Sequence, residues 1–326
     1  MNNYPHPVSV APMMDYTDRH FRYLLRLISR HSLLYTEMIT CEALLHSDAR
    51  ALLDYHPIEH PLALQLGGSD PKKLAHCAKM AQDWGYDEVN LNAGCPSDRV
   101  KSGRFGACLM KEPTLVAKCL AQMQQAVTIP ITLKTRLGVD DCDSYDYLCR
   151  FIETIASAGC QVFILHARKA WLKGLSPKEN RTVPPLRHEV VYQLKQQFPH
   201  LTLVLNGGLT TLEQLKTALT TQQPAVNGVM IGRQVCQNPY LLASIDQLFY
   251  AVNQPPLSRQ EVAKHYMSYL EVQLRAGARL QSLTRHLLGL FYGTPQARSW
   301  RRYISEHSYQ PTAGIEVINN ALAQMT

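Results

Sequence analysis

Several things missing from this sequence narrow its reading before anything present is considered. The nine cysteines are odd in number and no two are spaced C-x-x-C, which argues against a disulfide framework and against a dithiol or metal-ribbon motif. No apolar run reaches membrane length and no signal-peptide pattern is found, so the expectation is a cytoplasmic chain with reduced thiols and no membrane partner. No G-x-G-x-x-G follows the first apolar strand pattern, which counts against an open, doubly wound nucleotide-binding sheet. What remains is 326 residues, 46% hydrophobic, enough for a large core with an appendage. The formal net charge is +7, and residues 254–326 hold eight Lys/Arg against four Asp/Glu. A basic excess gathered in the last quarter points toward a polyanionic partner. Nothing in the pattern calls for an obligate protein partner.

Short apolar strand patterns alternate with amphipathic helical ones. Strands are expected over Val8–Ala11, Leu33–Glu37, Leu62–Leu66, Glu88–Asn92, Ile131–Thr135, Val162–His166, Leu201–Asn206 and Gly228–Gly232. Helical patterns follow each, at Thr17–Ser29, Cys41–Leu53, Asp70–Trp84, Glu112–Ala126, Ser144–Ala158, Arg187–Phe198, Thr210–Thr220 and Pro239–Val252. Ser69-Asp70-Pro71 and a Thr210-x-x-Glu213 capping box mark two of the starts. Eight β/α pairs in about 250 residues predict an α/β fold, a (β/α)₈ TIM barrel, whose active site forms at the carboxyl ends of its strands. The barrel is expected over residues 1–253 and a small all-α helical domain over 254–326. That second domain opens with the Asn253-Gln254-Pro255-Pro256 linker and a Ser258/Glu261 capping box.

If the barrel is right, the strand ends share one mouth. They read Ala11-Pro12-Met13, Glu37-Met38, Gln65-Leu66-Gly67-Gly68, Asn92, Lys134-Thr135-Arg136, His166-Ala167-Arg168, Asn206-Gly207-Gly208 and Gly232-Arg233. Taken singly each is ordinary punctuation; eight polar or glycine endings together suggest a site. The seventh and eighth are where barrels often bind phosphate. Lys134 and Arg136 add positive charge suited to an electron-accepting ring. His166 is open between this mouth and a satisfied core histidine. After the fourth strand comes Gly94-Cys95-Pro96, a rigid turn carrying a thiol. Cys95 is either a small buried hydrophobe or a reactive group, and its place on a loop at a strand end favours asking about chemistry.

Two basic stretches lie outside the mouth. Arg298, Arg301, Arg302 and Ser305 fall on one face of a helical segment, with Trp300 and Tyr303 nearby; the choice is a solvated face or phosphate contacts. Lys173 to Arg181 occupy an unusually long loop after the sixth strand.

The segments LNAGCPSDRVKSGRFGACLM, VAPMMDYTDRHFR, LALQLGGSDP, TLKTRLG, HARKAWLKGLSPKENR, NGG, VMIGR and HLLGLFYGTPQARSWRRYISE together resemble the tRNA-dihydrouridine synthases, in particular their A-type bacterial subfamily, over nearly the whole chain. The resemblance implies reduction of the C5=C6 bond of D-loop uridines at positions 20 and 20a of tRNA, with bound FMN and with NADPH as reductant. It implies FMN contacts at Ala11, Pro12, Met13, Gln65, Lys134, His166, Asn206, Gly207, Gly208, Gly232 and Arg233. By the same likeness Cys95 is the proton donor, Asn92 a substrate contact, and Lys178, Arg181, Arg298 and Arg301 orient the tRNA. Two other functions stay in view: a flavin oxidoreductase acting on a free pyrimidine, which has no use for the basic helical domain, and a non-catalytic tRNA-binding protein, which has no use for the flavin site.

Overall fold

The computed structural model describes residues 4–97, 100 and 103–325; Asp98, Arg99, Lys101 and Ser102 of the cysteine motif lie outside the described residues. All eight expected strands form: β1 Val8–Val10, β2 Leu34–Thr40, β3 Leu62–Gly67, β4 Glu88–Ala93, β5 Ile131–Arg136, β6 Val162–His166, β7 Thr202–Asn206 and β8 Gly228–Ile231. Each strand from β2 onward pairs in parallel with the next, and β8 pairs with β1. A Ser9–Leu33 bridge closes the ring between β1 and β2: Val10 N–H donates to Leu33 O at 2.9 Å and Leu33 N–H to Val8 O at 3.1 Å. The architecture is a (β/α)₈ barrel, not an open sheet. β2 runs past its expected end at Glu37 to Thr40, because a bulge between Tyr35 and Met38 restores its pairing with β3 as far as Gly67.

Local signals place the helices. Asp70 accepts from the N–H groups of Lys72 and Lys73 ahead of Pro71–Trp84, and Ser144 caps Tyr145–Ser157. Three expectations need correction. Cys41–Leu53 is two helices, Cys41–His46 and Ala49–Leu53, because Asp48 turns its carboxylate to the N–H groups of Arg50 and Ala51 and starts a new one. The capping box sits one residue later than read, on Thr211 and Gln214, and the helix Leu212–Lys216 passes into a π turn at Thr217–Thr221. Pro239–Val252 is a 3₁₀ segment, Pro239–Ser244, running into a short helix, Ile245–Phe249.

The barrel interior is divided. Tyr35, Ala63, Ile164, Val204 and Met230 belong to one apolar cluster. Gln65, Glu88, Asn90, Asn92 and Thr132 from β3, β4 and β5 form a buried polar run. That polar run is where the site begins.

The chain forms two compact units. One comprises the described residues up to Met14, Leu33–Tyr55 and His60–Gly232; the other comprises Asp15–Ser32, His56–Glu59 and the described residues from Arg233 on. One division between these units falls at 232/233, and the second unit takes in the helix Arg19–Ile28 that follows β1. Polar bonds hold these segments together. Arg22 Nε meets Glu59 Oε2 at 2.6 Å, the Arg26 guanidinium donates to the carbonyls of Ser29, Ser32 and Glu59, and Asp246 accepts from Ser29 Oγ and Arg30 N–H at 2.6 Å each. Within the same unit the Ser258/Glu261 capping box opens the helix Arg259–Arg275, which buries Val262, Ala263, Tyr266, Tyr269 and Leu270. Leu274, near the end of that helix, is half-buried. No helix among the described residues is long and apolar enough to cross a membrane.

Candidate active site

The β4 turn shows how the barrel holds a thiol. Asn92 is the last inward residue of β4, and its Oδ1 accepts from the N–H groups of Gly94 at 3.0 Å and Cys95 at 2.9 Å. Cys95 O accepts from Ala107 N–H at 2.9 Å, so the turn is pinned from both sides. Cys95 itself is half-buried, with Sγ 3.4 Å from Ser97 Oγ. Asn92 Nδ2 donates to Gln65 Oε1 at 2.9 Å, which brings the β3 and β4 candidates together.

Two cations flank this turn. Lys134 sits beside Asn92 in the β4–β5 register, and its Nζ donates to Asn206 Oδ1 at 3.0 Å, while Asn206 Nδ2 donates to Met230 O at 2.7 Å. Loss of water around the ammonium, with the like charge of Arg136 added, holds the Lys134 pKa down to about 7. Arg136 is buried and spans three carbonyls: Nε donates to Gly94 O at 3.0 Å, and Nη1 to Lys169 O at 3.0 Å and Asn180 O at 2.8 Å. Desolvation lowers its pKa as well, to about 10.

The rest of the mouth is shaped by backbone. Gly207 and Gly208 take φ of 103° and 71°, closed to most side chains. A Cβ on Gly207 would lie 3.3 Å from His166 Nε2, and one on Gly208 2.3 Å from Leu186 Cδ2. At Gly232, by contrast, an added Cβ would find Ala11 Cβ alone, at 3.9 Å; the space beyond is open. Ala11 is buried, its N–H donating to Ile231 O at 2.8 Å, with Pro12 and Met13 half-buried behind it. His166 ends β6, half-buried.

Ala11, Gln65, Asn92, Cys95, Lys134, His166, Asn206, Gly207, Gly208 and Gly232 thus all lie at or just beyond the carboxyl ends of the strands. Lys178 and Arg181 are exposed on the loop after β6. Arg233 opens the helix Arg233–Gln237 in the helical unit. Arg298 and Arg301 belong to that unit too, exposed on the helix Ala297–His307 with Arg302 and Ser305, while Trp300 is buried on the other side and donates Nε1–H to Leu287 O at 2.8 Å. Reading by residue type did not find Asn180. It is fully buried and ties the β6 loop: its Oδ1 accepts from Trp171 N–H at 2.7 Å and its Nδ2 lies within 3.3 Å of three carbonyls, those of Trp171, Leu175 and Ser176. An asparagine in a loop carries no local mark of such a role.

A positioned thiol, two cations and an open glycine edge at the mouth of a closed barrel define an enzyme, and the chain belongs to the dihydrouridine synthase family, whose profile matches residues 9–325. Among curated relatives, a protein of Synechocystis sp. (strain ATCC 27184 / PCC 6803 / Kazusa) named tRNA-dihydrouridine(20/20a) synthase is 56% identical over 97% of this chain and 93% of its own length. Proteins with the same name from Vibrio cholerae serotype O1 and Pasteurella multocida are 56% and 52% identical, covering 98% and 99% of this chain and 96% and 98% of theirs. The solved complex of 2-naphthoyl-CoA reductase with 2-naphthoyl-CoA aligns with a TM-score of 0.58 at 10% identity, over 74% of this chain and 50% of that one; the likeness is one of fold.

Proposed function

We propose that the enzyme reduces the C5=C6 bond of uridines at positions 20 and 20a of tRNA to 5,6-dihydrouridine, in the cytoplasm, with FMN in the barrel mouth and NADPH as reductant. The observation that carries this is the Cys95 turn, clamped by Asn92 beside Lys134 and Arg136. The relatives' shared name supplies the substrate and its positions.

The residues suit a flavin phosphate and ring. Gly232 has open space where a side chain would stand, Gly207 and Gly208 turn the backbone in the left-handed region, and Asn206 and His166 supply polar groups at the same mouth as Ala11, Pro12 and Met13. FMN, when bound there, supplies the hydride that adds at uracil C6. Lys134, whose ammonium is held at the edge of deprotonation by burial, gains its strongest reason to stay charged when negative charge develops next to it. Gln65 is fixed in orientation by Asn92 and is ready to bond a planar polar edge. Hydride addition at C6 leaves enolate character toward C5, and Cys95 is the acid that delivers the proton to that carbon. Asn92 holds the donor's turn and contacts the uracil. A uridine packed in folded tRNA must be extruded first, at a cost of a few kcal/mol. Lys178, Arg181, Arg298 and Arg301 offset it through phosphate contacts.

The test is direct. Purified protein, NADPH and unmodified tRNA should yield dihydrouridine mapped to positions 20 and 20a, from a protein that purifies yellow. A colourless protein that gains no activity with FMN, or one that reduces free uridine as readily as tRNA, would overturn the reading.

A further inference from the structure

Beneath the Cys95 turn, hydrogen bonds run through the barrel with a single sense. The N–H groups of Gly94 and Cys95 donate to Asn92 Oδ1, and Asn92 Nδ2 donates to Gln65 Oε1. Gln65 Nε2 then donates to Asn90 Oδ1 at 2.8 Å, Asn90 Nδ2 to Thr132 Oγ1 at 2.8 Å, and Thr132 Oγ1 to Glu88 Oε1 at 2.7 Å. Tyr35 Oη donates to the same Glu88 oxygen at 2.5 Å. All of these side chains are buried, Asn90 and Thr132 completely. No step in the run is interchangeable. Thr132 has one hydroxyl proton, and once it is given to Glu88 the oxygen can only accept; Asn90 must then show it an NH₂ group, which leaves Oδ1 for Gln65, and so outward to Asn92.

We propose that Glu88 is a positioning residue for the reaction: as the acceptor at the closed end of this run it fixes Thr132 as a donor, and thereby orients the Asn90, Gln65 and Asn92 amides that hold the Cys95 turn. The proposal rests on the reading of Cys95 as proton donor. Without an acceptor at Glu88, the Thr132 proton is free to swing toward Asn90, whose amide then reverses. A reversed Asn92 would set its NH₂ group against the two N–H groups it now accepts from. The run must break at some link, and the turn loses its fixed clamp.

Three variants separate this from a structural or purely charged role. Glu88→Gln keeps an acceptor oxygen for Tyr35 and Thr132, Glu88→Leu removes it, and Thr132→Val cuts the run while leaving Glu88 and Tyr35 in place. Two readouts are taken on the flavin-loaded protein: the rate of Cys95 alkylation by iodoacetamide without tRNA, resolved by mass spectrometry against Cys108, and the single-turnover rate with tRNA. Glu88→Leu and Thr132→Val should each raise Cys95 alkylation about fivefold, as expected of a locally loosened turn, and slow the tRNA step about tenfold through misplacement. Glu88→Gln should restore both to within about twofold, and the double variant Glu88→Leu/Thr132→Val should be no worse than either single one. Equal damage from Glu88→Gln and Glu88→Leu, additive losses in the double variant, or wild-type alkylation in Thr132→Val would overturn the proposal. If Glu88→Leu fails to fold, Thr132→Val decides. If the wild-type protein reduces no tRNA, the functional reading has failed, and the alkylation arm still decides whether the run governs the turn.

Discussion

Replacing Cys95 by alanine isolates the acid from everything else the turn does. The backbone bonds that fix the turn, from Cys95 N–H to Asn92 Oδ1 and from Ala107 N–H to Cys95 O, both at 2.9 Å, do not involve the thiol. Among the described residues, the hydrogen bond lost with the thiol is the 3.4 Å approach of Sγ to Ser97 Oγ. A half-buried sulfur removed from a turn should cost about 1 kcal/mol or less. Turnover on tRNA, in contrast, should fall by roughly 10²- to 10⁴-fold, the range for losing a positioned general acid, or roughly 3–5 kcal/mol of barrier. The assay is single-turnover oxidation by tRNA of enzyme reduced beforehand with NADPH, with urea unfolding of the same samples. Cys108→Ala is the control: Cys108 is also half-buried, in the 3₁₀ turn Gly106–Lys111. Near-wild-type rates in Cys95→Ala, or an equal loss in Cys108→Ala at unchanged stability, would refute the proton-donor role.

Gly232→Ala should leave stability within about 0.5 kcal/mol, because its added methyl meets nothing closer than Ala11 Cβ at 3.9 Å, yet it should lower FMN retention by filling the open edge; co-purified flavin per protein checks it. Gly208→Ala should destabilise by about 1–2 kcal/mol, since alanine must adopt the left-handed region at φ 71° and displace Leu186, measurable by urea unfolding. Burial pushes the Glu88 pKa up from 4.5 to about 7 against the opposing bonds from Tyr35 and Thr132. Its contribution to stability is therefore complete below pH 4.5 and lost as pH rises through about 7, so relative to wild type Glu88→Gln should gain roughly 2–3 kcal/mol between pH 5 and pH 8; a pH-independent difference would contradict this. Replacing Lys178 and Arg181 by Ala should flatten the salt dependence of tRNA binding by roughly 0.7 to 0.9 log units for each phosphate left without its cation; an unchanged slope returns them to a solvated surface.

The barrel was legible because each strand is a short apolar pattern ending in a polar or glycine position, a local signal that survives in a single chain. Helix breaks were less so: Ser47–Asp48 interrupts an unbroken apolar periodicity, and Asp48's competing hydrogen bonds decide the matter. The unit boundary could not be read locally, since Arg22, Arg26, Glu59 and Asp246 find their partners over long separations. In β4 the alternation of Val89 and Leu91 with Asn90 and Asn92 separates two faces of the strand. It could not show that Gln65, Thr132, Glu88 and Tyr35 meet them, because register between strands sets those neighbours.

The fastening of the β6 loop by Asn180 and Arg136 bears on how quickly and selectively an RNA is captured. A long surface segment carrying Lys178 and Arg181 would ordinarily sample many shapes and settle into one upon encounter, adding an ordering penalty to association. Here the segment's carbonyls are already gripped, and Arg136 joins Asn180 O to Gly94 O. If Lys178 and Arg181 contact phosphates as proposed, a loop held by these bonds should meet an RNA backbone already shaped, and discrimination among RNAs should begin before any base is unstacked.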